Sequence, residues 1–548
     1  MKIALVTLNS KFIHSNLSLW CLKSGVEHFC KNNHEIRVFE STINKSHDDL
    51  LQKLDEFHPD ILACSCYIWN TEKLLEIYRI FKQKSNCIIA LGGPEVEFCK
   101  EDILYGYKFV DYIVSGEGEW SFSSLVDFLN GDKLWDDCEG ISYLECDKII
   151  SLQAMPHAIT PPSPYCKEYF DSLNGRIAYI EASRGCPFNC SYCLSGRLCG
   201  LRYFDFEQIT DNIVNLYNSG TETIKFIDRT FNADATKANR ILSFIKDNFS
   251  DNRNNVCFHF EMAADILKEE TLKILSEMPV GLCQLEIGIQ SFNEKTLVAV
   301  NRKTDLIKVQ RNITELLSYK NMHIHIDLIA GLPYEDINSF RNSFNMAFAL
   351  KASMLQLGFL KMLHGADIRK SATDYDAHFS AKAPYEIHSN KWLSEDNLKE
   401  LKMCEDALDR LYNSSRFLNT IDFLLKETGW TPYDLFSRFG ASGDFNKISL
   451  SDYSEKIYLY FRSYVNEVKL KEAILIDLNS LQVNIHIPDV LIDKDIRYKT
   501  IKKYFTEKLQ KNVRIVILHS KNKVFVVHTD ICDKISGRYF GEYCDIPI

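Results

Sequence analysis

The sequence predicts an α/β protein built from two successive runs of strand–helix units, with a smaller α+β region after them. Three observations carry this. Short apolar runs alternate with stretches of helical period over residues 1–130, and again from 176 onward. A proline-rich break, SLQAMPHAITPPSPY at 151–165, separates the two runs. Beyond about residue 380 the alternation gives way to helical periodicity. The chain of 548 residues is also too long for one hydrophobic core.

In the first run, strands are expected at 2–8 (KIALVTL), 35–39, 60–66 (DILACSC), 87–91 (CIIAL) and 111–114 (DYIV), with helices between them, as at 16–30 and 71–84. Five such units with short loops predict a doubly wound, Rossmann-like (flavodoxin-like) parallel sheet over 1–150. Ligands on such sheets bind beyond the carboxyl ends of the strands. Those ends carry NSKFIH at 9–14, SCYIW at 65–69, GGPEV at 92–96 and GEGE at 116–119. The opening residues MKIALVTL read as a buried strand and not as a secretory leader, because the apolar run is short and no small-residue cleavage site follows it.

Residues 151–175 form the expected linker. Over 176–375, strands are expected at 177–183, 223–228, 257–262, 284–289, 323–329 and 354–360, with helices such as 304–319 and 336–350. Six such units predict a partial, open (β/α)6 barrel of TIM-like order, with functional groups at the carboxyl ends of its strands. Residues 376–548 form the third region. It is helical over 394–470, with strands near 473–478, 513–518 and 523–528 and a helix at 494–510.

Hydrophobic residues make up 46% of the chain and charged residues 25%, the balance of a soluble globular protein. No run of eighteen apolar residues predicts a membrane span. The net charge of −10, with lysine and arginine dispersed, argues against a dedicated nucleic-acid binder. Eighteen scattered cysteines and no leader suit a reducing cytoplasm better than a disulfide scaffold.

The chemistry concentrates in EASRGCPFNCSYC at 181–193, where Cys186, Cys190 and Cys193 follow C-x3-C-x2-C spacing just after a strand. Thiolates are soft ligands that select zinc or iron–sulfur clusters. A structural zinc wants a fourth ligand, for which Cys199 is the candidate, whereas three ligands on a four-iron cluster leave one iron open. Spacing alone leaves both open. The segment RGCPFNCSYC, with Tyr192 before the last cysteine, resembles the radical S-adenosylmethionine (AdoMet) superfamily. The resemblance implies that the three cysteines hold a 4Fe–4S cluster whose fourth iron is chelated by AdoMet. Cleavage of AdoMet there yields a 5′-deoxyadenosyl radical, and Cys199 is then a bystander. By the same resemblance Tyr192, Asp228, Glu261, Glu286, Gln290 and Gly331 lie near AdoMet. A buried polar group satisfied by backbone is the plain alternative for Asp228, Glu261, Glu286 and Gln290.

The first region lacks the G-x-G-x-x-G of dinucleotide sheets. Its GGPEVEF and SGEGEW loops, ahead of a linker and the cysteine loop, resemble the cobalamin-binding domains fused to many radical AdoMet enzymes. The implied cobalamin contacts are Ser10, Lys11, Phe12, His14, Ser65, Tyr67, Trp69, Gly92, Gly93, Pro94, Glu95, Gly116, Glu117 and Gly118. The loop around His14 has a histidine but neither the Asp nor the Gly of the D-x-H-x-x-G pattern. Cobalt ligation, corrin contact and a packing role all stay open for His14.

The whole resembles a cobalamin-binding radical AdoMet subfamily with an extra C-terminal domain. It implies an oxygen-sensitive methyltransferase that moves a methyl from methylcobalamin to an unactivated carbon or phosphorus centre, fed by an electron donor such as flavodoxin or ferredoxin. Rearrangement, cyclisation or ring contraction with the same cofactors is the first rival. A tRNA-modifying methyl or methylthio transferase is the second. A catalytically dead cobalamin-binding regulator is the minor option. The substrate, a small molecule, peptide or tRNA, is not specified, and a monomer is expected. The residues that would act on it are not legible either.

Overall fold

The computed structural model describes every residue except 196–199, 493 and 548. It divides into two compact units. The first comprises Met1–Leu282, Val300–Lys303 and Lys361–Ile387, and the second Cys283–Ala299, Thr304–Leu360 and His388–Ile548.

The first unit opens with a seven-stranded sheet. Its strands are β1 (Lys2–Asn9), β2 (Glu35–Thr42), β3 (Ile61–Ser65), β4 (Ile88–Gly92), β5 (Tyr112–Val114), β6 (Ile141–Glu145) and β7 (Lys148–Ser151). Their spatial order is β2-β1-β3-β4-β5-β6-β7. The first five are parallel in the expected flavodoxin-like order, and β6 and β7 add antiparallel at one edge. β1 is buried from Ile3 to Asn9 and β3 along its whole length, and both are mostly apolar because both faces are covered. Leu54, Phe57, Leu74 and Tyr78 pack on one face from helices Asp48–Phe57 and Thr71–Lys82. Leu19, Val26, Phe122 and Leu125 pack on the other from Leu17–Phe29 and Gly118–Leu129.

Three parallel strands follow in the same unit: β8 (Ala178–Ile180), then, after the antiparallel pair β9 (Ser183–Gly185) and β10 (Leu201–Tyr203), β11 (Thr223–Phe226) and β12 (Cys257–Glu261). The strand expected at 177–183 therefore breaks in two. Asp228 explains the break, since its carboxylate accepts hydrogen bonds from the Ala182 amide and the Ser183 hydroxyl and turns the chain there.

The second unit holds the other three parallel strands of the expected six, β13 (Cys283–Gln290), β14 (His323–Ala330) and β15 (Met354–Phe359). Helices at Glu395–Leu408, Leu418–Thr428, Pro432–Gly440, Leu450–Phe461 and Glu467–Asn479 follow. The last of these overturns the strand expected near 473–478. A three-stranded antiparallel sheet (Val513–Leu518, Lys523–Cys532, Tyr539–Asp545) closes the unit, with helix Tyr498–Leu509 on one face and Glu467–Asn479 on the other. No helix among the described residues is long and apolar enough to cross a membrane.

Candidate functional site

The cysteine loop in the first unit is set up by backbone before any side chain acts. Gly185 sits at φ +98°, and a Cβ there would lie 2.0 Å from the Gly200 carbonyl across the β9–β10 pair. Only glycine allows that approach. From Gly185 the chain enters Cys186, whose sulfur is 3.6 Å from the Thr230 hydroxyl. The Cys193 amide donates to the Cys190 carbonyl at 3.1 Å, and the Ser195 amide reaches the Cys193 sulfur at 3.4 Å. Ser191 is anchored on both sides, donating to Val300 O and accepting from the Ile368 amide, each at 2.9 Å.

All three cysteines are free thiols, with Cys190 buried and the other two partly open. Burial pushes the Cys190 thiol up, against the pull of Arg302, whose Nη1 lies 3.8 Å from its sulfur. The same guanidinium reaches the Tyr192 hydroxyl at 3.4 Å, so Tyr192 braces the loop from within. Three soft thiols on one pinned loop, with a cation alongside, are a donor set that fits an iron–sulfur cluster. Cys199 lies outside the described residues.

Asp228 is buried behind this loop. Burial raises its carboxyl to about 7, and the bonds from Ser183 and Ala182 only partly offset that. It therefore acts as a bracket for the chain entering the cysteine loop. Glu261, at the end of β12, faces Lys225 at 3.4 Å.

The carboxyl ends of β1, β3, β4 and β5 carry the other predicted contacts. Phe12 and Trp69 are 62% and 44% exposed, Lys11 is exposed, and Tyr67 stacks flat on Trp69 at 4.5 Å between ring centres. An exposed aromatic surface at this edge, where such sheets bind ligands, suits a broad flat cofactor. Ser10, Gly92 and Pro94 are partly exposed at the same edge and Ser65 is buried. Gly93, at φ +99°, is required by the protein itself: a Cβ would meet the Cys66 carbonyl at 2.7 Å. A Cβ at Gly116 or Gly118 would likewise meet Ala154 or Leu22 at 2.4 Å. These glycines shape the loops through contacts inside the chain.

Two predicted acidic contacts turn inward. Glu95 is buried, its carboxyl raised by burial, and it accepts a hydrogen bond from Tyr385. Glu117 receives Arg184 and Arg202, both at 2.6 Å. Arg184 also holds Glu119 at 2.6 Å and Glu181 at 2.7 Å. Two arginines and three glutamates thus lock the loop after β5 to β9, two residues before Cys186. The sequence reading missed the two arginines, which lie in ordinary-looking text.

His14 is also committed. Its Nδ1 lies 2.7 Å from the Tyr179 hydroxyl on β8 and its backbone bridges to Ile177. Arg176 donates to the Phe12 and His14 carbonyls. Burial, then Lys11, Lys225 and Arg176, lowers the His14 pKa and keeps the ring neutral. Nε2 is the nitrogen left for a ligand.

In the second unit Glu286 on β13 stands beside His325 on β14, with Asp327 two residues on. One donor atom of each falls within 4.8 Å of the others, and His325 Nε2 is 2.8 Å from Asp327 Oδ1. The sequence reading found Glu286 and missed the other two. Their signal was the alternation in HIHID, which puts His325 and Asp327 on one face of the strand. Gln290 ends β13 at φ +74°, and the Gly331 carbonyl after β14 accepts from Asn390 at 2.9 Å.

Comparison with known proteins matches residues 3–126 to the B12 binding domain and 180–347 to the Radical SAM superfamily. Residues 373–535 match a family described only as a protein of unknown function (DUF4080). A 2-(S-pantetheinyl)-carbapenam-3-carboxylate methyltransferase of Streptantibioticus cattleyicolor is 27% identical over 314 residues, 52% of this chain and 44% of that protein. The cobalamin-dependent radical SAM methyltransferase TokK of Streptomyces tokunonensis is 26% identical, with the same coverage. The chain thus spans less than half the length of these curated relatives. The solved structure of OxsB, a cobalamin-dependent S-adenosylmethionine radical enzyme with aqua-cobalamin and S-adenosylmethionine bound, superposes with a TM-score of 0.61 at 15% identity, covering 93% of this chain and 75% of that one. That likeness is one of fold. A chain with these two domains takes a 4Fe–4S cluster, AdoMet and cobalamin.

Proposed function

We propose that this chain, a radical SAM protein with an N-terminal B12-binding domain, is a methyltransferase acting on a carbon or phosphorus centre too inert for polar attack. The observation that carries the reading is the bridge from Arg184 to Glu117 and Glu119. It ties the ligand edge of the first sheet to the strand that feeds the cysteine loop. Two cofactors acting on one substrate need such a fixed spacing. The methyltransferase names of the two sequence relatives support methyl transfer over rearrangement.

When bound, the cluster with AdoMet supplies a substrate radical and cobalamin supplies the methyl group. The chain's own part is to hold and screen. Cys186, Cys190 and Cys193 would ligate the cluster, and Arg302 would set a positive charge beside it. Phe12, Tyr67 and Trp69 would contact the corrin, while Gly93 and Gly116 keep the neighbouring loops in shape. A reduced flavodoxin or ferredoxin would deliver the electron in a reducing cytoplasm to a monomeric enzyme. Every described cysteine being a free thiol supports that compartment.

The test is anaerobic turnover with candidate substrates, measuring S-adenosylhomocysteine and 5′-deoxyadenosine together. Methyl transfer requires both, at about one to one, since each methyl delivered needs one radical. Product formed with 5′-deoxyadenosine but without S-adenosylhomocysteine would replace this reading with rearrangement.

A further inference from the structure

At the opposite end of the first sheet, three side chains of metal-ligand type converge far from the loops described above. Cys30 is the C-cap of helix Leu17–Phe29, and His34 follows four residues later, just before β2. Asp127 projects from the last turn of helix Gly118–Leu129. One donor atom of each lies within 4.8 Å of the other two.

We propose that Cys30, His34 and Asp127 bind one divalent transition-metal ion, zinc by their chemistry. A thiolate, an imidazole and a carboxylate are the sulfur, nitrogen and oxygen ligands zinc accepts, with water completing a tetrahedron. The thiol and the imidazole select against magnesium and calcium. Zinc ligands sit about 3.3–3.8 Å apart, so side-chain movements of about 1 Å close the site.

The present partners of the three groups are weak. The Cys30 thiol points to the Ser123 carbonyl at 3.4 Å. The Asp127 carboxylate accepts the Lys31 amide at 3.2 Å and also faces the Cys30 thiol, which burial and then this carboxylate push up. His34 Nδ1 is 3.3 Å from the Met1 nitrogen, and its Nε2 is buried without a hydrogen-bond partner. Asp127 is only 7% exposed, and no lysine or arginine side chain pairs with it among the described residues. The Met1 ammonium meets His34 and forms no ion pair with Asp127 among the described residues, and a buried carboxylate without an ion-pair partner is costly. A divalent ion supplies the missing charge and also the partner for Nε2. The ion would clamp the ends of two helices and the entry to β2, a structural role separate from the cofactors.

Metal analysis of the full-length protein, loaded with cluster and cobalamin, supplied with one equivalent of zinc and then desalted, tests this. About one zinc per chain is expected, with one sulfur at about 2.3 Å and nitrogen or oxygen at about 2.0 Å by zinc-edge X-ray absorption. His34→Gln and Asp127→Asn should each lose the zinc while keeping iron, bound cobalamin and the circular dichroism of the fold. The Cys186, Cys190 and Cys193 triple alanine variant should keep it. No zinc retained in the unmodified protein, zinc retained in both single variants, or zinc lost with the cluster cysteines would each overturn the assignment. The last outcome would place the ion on the cysteine loop.

Discussion

The Arg184 guanidinium lies 2.6 Å from the Glu119 carboxylate, and Glu119 is 3% exposed. Burial pushes the Glu119 carboxyl up, but Arg184 pulls it further the other way, so it ends below the ordinary carboxylate range. A depressed carboxyl pKa adds stability above the unfolded value, which is lost as pH falls through the folded one.

Arg184→Met should therefore cost about 3–5 kcal/mol at neutral pH, because Glu119 and Glu181 are left without their cation. Glu119→Gln in the same chain should recover part of it. Urea unfolding of the apoprotein measures both. The double variant should also lose part of the acid-side decline in stability. A single variant as stable as the parent would mean the bridge is screened by solvent and holds nothing.

Asp228 behaves oppositely. Its carboxyl, raised to about 7 by burial, holds a proton in the fold where the unfolded chain has released it. Stability should then fall as pH rises from about 4 to 7 on this account. Asp228→Asn keeps an acceptor for the Ala182 amide and should flatten that slope while preserving the cluster content after reconstitution. If Asp228→Asn keeps the fold but destroys AdoMet binding, the carboxylate contacts the cofactor and is more than a bracket.

How much of this was legible follows from where the signal lay. The central parallel strands were plain because burial on both faces makes runs such as IALV in β1 and ILAC in β3 continuously apolar. The cysteine loop was plain from its spacing. Helix Glu467–Asn479 was misread as strand because it is buried on several sides, at Leu470, Glu472, Ala473, Ile474, Ile476 and Asp477, which erases the helical stripe. Asp477, buried there, is satisfied by Thr420, Asn419 and Arg538, partners about sixty positions away in the chain. The β6–β7 hairpin escaped because its turn is Cys146-Asp147, both at positive φ, where Asn-Gly is the usual signal. Arg184 and Arg202 escaped because an ion cluster between distant segments has no local pattern.

Gly185→Ala isolates the backbone requirement of the cysteine loop. Its Cβ would strike the Gly200 carbonyl in a conformation L-residues avoid, costing about 1–3 kcal/mol locally. The cluster should then load poorly although all three thiols remain. Gly220→Ala, also at positive φ but with open space around it, should load normally. Equal iron and sulfide content in both variants would show that the β9–β10 pair does not shape the loop.

His14 should serve as a hinge post between the first sheet and β8, with cobalt left free of it. Its ring is fixed through Nδ1 to Tyr179 at 2.7 Å and its backbone to Ile177, and burial, helped by the three cations around it, keeps it neutral. Electron paramagnetic resonance of the Co(II) protein should accordingly lack a nitrogen splitting that depends on this residue. His14→Ala should leave the spectrum unchanged while lowering stability by about 1–2 kcal/mol through the lost hydrogen bond and packing. Tyr179→Phe should reproduce much of that loss, because it removes the same bond from the other side. The folded pKa lies below the ordinary value, so this contribution is present above about pH 6.5 and fades as pH falls. A nitrogen splitting present in the parent and absent in His14→Ala would instead make Nε2 the lower ligand of cobalt.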